Sequence, residues 1–280
     1  MASLAGMAGV GWLLWREWPL IQPLLQQPRI VIAIAVLGLG YGVALTGPAA
    51  MAWGECLGWT GCAVPGFRTR VAWLGRCVLP KYIPGNVAHL GMRTLLGTRL
   101  GMPPRMLVRA TGVDVAAQAA PALVLLPLAV LPTAPAWFST AAILVAGGLI
   151  LHRLDRSGQL RRAALWHGMG LLGQATAMAL LGAVLSGSGP APIMVLWWSA
   201  AWVVGFLTPG APGGLGTREA ALIGIAAGLH GMPIEQATAW AAATRLATLV
   251  ADLLVAAGTA LLPLRSAVAG LSPPAADPGS

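Results

Sequence analysis

Residues able to bind an anion gather around an interruption in the first half of this sequence. Residues 80–86 are rich in proline and glycine and contain Lys81 and Asn86, and Arg93 follows about two helical turns later. A helix that restarts after such a break presents unpaired backbone N–H groups and a positive dipole end. This arrangement suits a phosphate or a carboxylate. Lys81, Asn86 as a helix cap, and Arg93 are therefore candidate binding residues.

A second interruption with the same chemistry lies in the other half of the sequence. Residues 208–214 contain Gly213 and Gly214, and they lead directly into Thr217, a candidate helix cap, and Arg218. These four residues complete the predicted anion site. The alternative is that proline and glycine only kink two spans, while the arginines extend to the membrane surface.

Three further charged residues accompany the second interruption. Glu219 is the neighbour of Arg218, and Arg245 and Asp252 are seven residues apart, which places both on one helix face. Charged residues inside a membrane span are costly and usually face the interior of a bundle. In a structural interpretation, Glu219 pairs with Arg245 and Asp252 pairs with Arg218. In a functional one, these carboxylates release or gate the basic residues as substrate passes.

Other polar residues give weaker signals. Asp114 and Gln118 are four residues apart on one helix face and could bond each other. His89 is the one candidate base near the cationic residues, while His167 receives no role. The sequence contains no GxxxxGK[ST], HExxH, CxxC or GxSxG motif, so we predict no catalytic residue, metal site or cofactor.

The composition defines the elements that must position these residues. Of the 280 residues, 57% are hydrophobic and 9% are charged, whereas soluble domains carry about a quarter charged residues. The net charge of +9 is typical of the positive-inside bias, and no separate basic segment suggests nucleic-acid binding. We therefore predict an all-α polytopic membrane protein with about six full spans. They are residues 2–15, 30–53, 107–131, 137–151, 163–185 and 234–262.

The distribution of arginine predicts how the two interrupted segments insert. The arginine-rich stretches 99–109 and 152–162 should face the cytoplasm, and the uncharged connectors 132–136 and 186–192 should face outward. Residues 67–100 then form a re-entrant hairpin from the cytoplasmic side, and residues 193–229 form one from the opposite side. Interrupted segments at matching places are typical of inverted-repeat transporters.

The expected organisation is a single transmembrane domain over residues 1–265, followed by a disordered tail over residues 266–280. Its first half is about 1–131 and its second half about 137–265. We expect a multi-pass protein of a bacterial inner membrane, with both termini in the cytoplasm.

Two motifs resemble a known family. Residues 79–87, followed by Arg93, resemble the "KYxPG…R" segment of the flippase-like family named after the transmembrane region of lysylphosphatidylglycerol synthase. Residues 212–220 resemble its "PGGLGxREA" segment, and residues 243–252 resemble its arginine-containing final helix. The resemblance implies movement of anionic or lipid-linked substrates across an inner membrane. Because the sequence has no synthase domain, we do not expect it to aminoacylate lipid.

These observations favour a lipid translocase. Lys81, Arg93 and Arg218 would hold the anionic headgroup, and the charge network of Glu219, Arg245 and Asp252 would reset the site. One alternative is an intramembrane transferase or phosphatase that acts on a lipid phosphate with His89 as its base. Another is a non-transporting subunit that binds lipid for a partner. The expected partner is a membrane lipid, and a homo-oligomer or a pathway enzyme stays open as a second one.

Overall fold

The computed structural model describes residues 15, 18–83, 87–131, 133–187, 189 and 191–264. Over these residues the chain forms α-helices and no strand. The α-helices are α1 Trp18–Leu25, α2 Pro28–Trp59, α3 Phe67–Arg76, α4 Ala88–Arg99, α5 Pro104–Val130, α6 Thr133–Leu154, α7 Gln159–Ser186, α8 Pro192–Leu207, α9 Thr217–Ile223 and α10 Ile234–Ala260. Helix α9 continues as a π-helix, Gly224–Leu229.

Among the described residues, five helices are long and apolar enough to cross a membrane, namely α2, α5, α6, α7 and α10. The predicted class is confirmed: the chain is an all-α, multi-pass membrane protein. The predicted first span over residues 2–15 and the predicted tail over residues 266–280 lie outside the described residues, apart from Trp15.

Small residues allow the long helices to pack closely around α2. A Cβ atom added to Gly170 of α7 would lie 2.9 Å from the carbonyl oxygen of Ala44 of α2. On another side of α2, a Cβ atom added to Gly38 would lie 3.0 Å from the carbonyl oxygen of Ala247 of α10. Small residues at helix contacts are typical of membrane bundles, where close van der Waals packing replaces hydrophobic burial.

Both interrupted segments consist of short helical pieces. In the first, a 3₁₀ turn, Leu79–Tyr82, follows α3, and α4 begins at Ala88. In the second, the 3₁₀ turn Pro212–Gly214 separates α8 from α9. Helix α3 has 10 residues and is about 15 Å long, half of a hydrocarbon core of about 30 Å. Helices α3 and α8 thus end close to the two interruptions that the sequence predicted.

Two contacts hold α3 against the end of α10. The Nη2 atom of Arg76 donates to the carbonyl oxygen of Leu262 at 2.9 Å. A Cβ atom added to Gly75 would meet the side chain of Thr259, so these two residues are in close contact. The turn Leu79–Tyr82, which follows α3, is thereby placed beside α10.

Candidate functional site

The two interruptions meet inside the bundle. A Cβ atom added to Gly213 would lie 3.0 Å from the Cε1 atom of the Tyr82 ring. The Nη1 atom of Arg245 donates to the carbonyl oxygen of Gly213 at 3.2 Å, and its guanidinium lies 5.7 Å from the centre of the Tyr82 ring. The φ angles of Gly213 and Gly214 are +58° and +73°, in the left-handed region that favours glycine. These glycines therefore allow the turn Pro212–Gly214 to approach the turn Leu79–Tyr82 closely.

A cavity of about 150 Å³ lies beside this contact. Residues of α2, α5 and α7 form its other walls together with both interrupted segments. The residues that line it with polar side chains or with the glycine backbone of the second turn are Tyr41, Thr46, Lys81, His89, Arg93, Asp114, Gln118, His167, Gly213, Gly214 and Arg218. Cationic side chains from both interrupted segments thus line one cavity.

The structure brings together most of the predicted binding residues. The cavity is lined by Lys81, Arg93, Gly213, Gly214 and Arg218. One predicted member, Thr217, has another position. The hydroxyl of Thr217 donates to the carbonyl oxygen of Gly214 at 3.2 Å, so it stabilises the second turn. Asn86 lies outside the described residues.

Asp252 binds the first interruption, and the predicted pairing with Arg218 is wrong. Its Oδ2 atom lies 2.7 Å from Nζ of Lys81 and accepts a hydrogen bond from the Tyr82 hydroxyl at 2.5 Å. The reason is the placement of α3, which packs at Thr259 about two turns after Asp252 on α10. The turn that follows α3 therefore lies alongside Asp252.

Glu219 is shared by two arginines. Its Oε1 atom lies 3.5 Å from Nη2 of Arg218 and 3.7 Å from Nη1 of Arg245, as the structural interpretation of Glu219 predicted for Arg245. Both distances exceed the roughly 2.7–2.9 Å of a strong charge-assisted hydrogen bond. The Oε2 atom accepts the N–H of Gly216 at 2.7 Å, and Arg218 also donates to the Thr248 hydroxyl at 3.1 Å. Within the described part of the chain, neither guanidinium therefore has a close carboxylate of its own.

A second ion cluster, which the sequence did not predict, lies on the other side of the cavity. Asp114 accepts a hydrogen bond from Arg93 and lies 3.0 Å from Nε2 of His167. The Cys56 thiol is 3.7 Å from the same carboxylate, and Arg93 stacks 4.8 Å from the centre of the Trp53 ring. The Asp114 carboxylate thus contacts Arg93, His167 and Cys56. These contacts take the place of the hydrogen bond to Gln118 that the sequence suggested. In the sequence, the only sign of this cluster was that an aspartate and a histidine each lie within a long apolar helix.

His89 also lines the cavity. Its Nδ1 atom is buried and has no hydrogen-bond partner among the described residues. Over the same residues, no group of three or more His, Cys, Asp or Glu side chains could hold a metal ion. The remaining feature of the cavity is its set of charged side chains.

Those charges do not balance. Among the described residues around the cavity and the contact between the turns, four cationic side chains face three carboxylates. The cations are Lys81, Arg93, Arg218 and Arg245, and the carboxylates are Asp114, Glu219 and Asp252. All but Lys81 and Glu219 are buried. With neutral histidines, one positive charge is in excess, and the arrangement can accept an anion.

Comparison of the chain with protein-family models, with curated proteins and with solved structures found no match.

Proposed function

We propose that this chain binds the anionic headgroup of a membrane lipid in the cavity between the two interruptions and moves it across a bacterial inner membrane. The observation that carries the proposal is the cation in excess. A buried charge without a counter-ion costs several kcal/mol, and a ligand anion would remove much of that cost. The resemblance of both motifs to the flippase-like family supports the same conclusion.

A lipid anion is favoured because of where the cavity lies along the long helices. Thr46 is near the middle of α2, Asp114 is near the middle of α5, and His167 lies two turns into α7. In our proposal, the interrupted segments are re-entrant and insert from opposite faces, so their breaks meet at membrane depth. Free backbone groups there are tolerated where they line a wet cavity, which gives the headgroup a polar route.

Arg218 is the cation that makes the first contact with the anion. Lys81 lies 2.7 Å from Asp252, and Arg93 is bonded to Asp114, so both already have close carboxylates. Arg218 lies 3.5 Å from a carboxylate that Arg245 shares. Arg218 therefore loses the least electrostatic attraction when its guanidinium binds a ligand anion.

The proposal is tested in phosphatidylcholine vesicles that contain the purified protein and a trace of fluorescent phosphatidylglycerol. An impermeant reductant added outside destroys the fluorescence of the outer leaflet, and further loss reports movement from the inner leaflet. We expect Arg218→Met to slow that loss by about tenfold or more, because one charge-assisted contact is removed. The control is Arg162→Met, since the Arg162 side chain is half exposed and pairs with Glu55 away from the cavity.

Two results would contradict the proposal. One is lipid movement no faster with the folded wild-type protein than in protein-free vesicles. The other is an Arg218→Met variant that moves lipid at the wild-type rate. If the wild-type protein binds phosphatidylglycerol but does not move it, the chain is a lipid-binding subunit and the transport part of the proposal fails.

A further inference from the structure

An apolar groove lies next to the cationic cavity, on the exposed side of α2. Its volume is about 310 Å³, and its walls come from α2, α3 and α10. The lining residues on α2 are Gly38, Leu39, Gly42, Val43, Thr46 and Gly47. Val71 of α3 and Ala251, Leu254 and Val255 of α10 complete it. Apart from Thr46, every lining residue is apolar.

The groove and the cavity share two walls. Thr46 lines both, and its hydroxyl donates to the carbonyl oxygen of Gly42 at 2.7 Å, so it is already satisfied within α2. On α3, Val71 faces the groove, whereas Leu74 and Gly75, one turn later, face the cavity. An occupant that continued from one space to the other would be apolar along the groove and polar at its end.

The length of the groove corresponds to one leaflet of a bilayer. From Gly38 to Gly47, α2 rises by about 13 Å, and half of a hydrocarbon core is about 15 Å. Leu39, Val43 and Leu254 are exposed at its rim. The floor is formed where α2 and α10 are in close contact, since a Cβ atom added to Gly42 would lie 3.3 Å from Val255.

We infer that the groove holds a hydrocarbon chain of the same lipid whose anion is bound in the cavity. This inference rests on the proposed function and adds that the ligand is recognised by a long chain as well as by its charge. A helix from a second copy could cover the groove. It would not supply an anion to the cationic space that the groove adjoins, and a lipid supplies both parts.

Two glycines of α2 provide a matched test. No atom of the described residues lies within 4 Å of a Cβ atom added at Gly47 or at Gly40, but of these two glycines only Gly47 lines the groove. Binding of dioleoyl phosphatidylglycerol and of chain-free glycerol phosphate is measured by calorimetry on the full-length protein in detergent micelles. We expect Gly47→Leu to weaken binding of the lipid by about tenfold or more, because the leucine occupies the chain's place. Glycerol phosphate binding should stay unchanged, and Gly40→Leu should change neither affinity.

Equal lipid affinities in Gly47→Leu and Gly40→Leu would overturn the inference. So would a Gly47→Leu effect that appears only as a change from dimer to monomer in light scattering, since the occupant would then be a second copy. The proposed function is tested separately by Arg218→Met, which should weaken both probes. If Arg218→Met changes neither probe while Gly47→Leu still weakens the lipid, the groove stands and the anion site fails.

A labelling experiment keeps the inference testable even if a variant does not fold. Wild-type protein is irradiated with phosphatidylglycerol that carries a diazirine in the middle of one chain, and the labelled residues are identified by mass spectrometry. We expect label on Val43, Leu254 or Val255, which line the groove. Label confined to other helices would overturn the inference.

Discussion

The ion pair between Lys81 and Asp252 connects the first interruption to the last helix, and its removal should have a large effect. Lys81 Nζ lies 2.7 Å from Asp252 Oδ2, and the side chains are 24% and 1% exposed. Two unit charges at this distance attract by about 6 kcal/mol at an effective dielectric constant of about 20. Desolvation offsets part of this attraction. Removal of one partner from a buried pair nevertheless costs about 3–5 kcal/mol, because the other charge is left uncompensated.

We expect Asp252→Asn to lower the free energy of unfolding by about 3 kcal/mol, the low end of that range, because Lys81 still reaches the cavity. Unfolding is followed by titration with sodium dodecyl sulfate in mixed micelles. In a double-mutant cycle with Lys81→Met, the coupling energy should be about 2–3 kcal/mol. The second substitution then removes the unpaired cation and restores part of the lost stability.

A surface pair provides the control for this cycle. Arg162 Nη2 lies 3.0 Å from Glu55 Oε2, nearly the same distance, but the Arg162 side chain is 50% exposed. The coupling energy between Glu55→Gln and Arg162→Met should fall between about 0 and 1 kcal/mol. If the Lys81–Asp252 coupling is no larger than this, the pair is not buried from solvent, and the reasoning about the charges of the cavity is wrong.

Other substitutions test the remaining contacts of the cavity. Asp114→Asn removes the carboxylate that Arg93 and His167 share. The free energy of unfolding should therefore fall by about 3–5 kcal/mol in the same titration, and a loss below about 1 kcal/mol would contradict this. Gly205→Ala adds a Cβ atom 2.8 Å from the Cβ of Arg218 and should slow lipid movement in the vesicle assay. Gly147→Ala, whose Cβ atom would have no described atom within 4 Å, should leave movement unchanged, and equal rates in the two variants would refute the prediction. Glu219→Gln should tighten glycerol phosphate binding measured by calorimetry and slow lipid movement, and weaker binding would show that the carboxylate does not compete with the ligand.

The long helices could be predicted because an apolar run of about 20 residues has few alternatives in a membrane. The stretch 30–53, for example, lies within α2, which extends to Trp59 because polar residues such as Glu55 are accommodated at helix ends. The breaks could also be predicted, since proline and glycine interrupt backbone hydrogen bonding wherever they cluster. Periodicity did not predict the π-helix Gly224–Leu229, because its six residues are all glycine or apolar and carry no polar–apolar pattern.

Pairing between distant charges was less predictable. The sequence presented Asp252 with several cations of equal charge, and only the packing of α3 on α10 selects Lys81 over Arg218. The cluster at Asp114 was missed for a similar reason, since His167 is 53 residues away on another helix. Spacing along the chain reports which residues share a helix face, but it carries no information on which two helices face each other.

The pattern of pairing determines where the excess charge resides. Because Asp252 binds Lys81 and Asp114 binds Arg93, the two cations of the first interruption are closely matched. Arg218 and Arg245 are left with the single carboxylate of Glu219, and the Nε and Nη2 atoms of Arg245 are buried without a partner among the described residues. An anion that binds Arg218 would leave Glu219 to Arg245, so that every buried cation gains its own counter-ion. In the proposed cycle, departure of the anion would restore the shared and weaker arrangement. Binding and release would exchange partners among charges that are already in place, and the excess positive charge would be compensated only while the anion is bound.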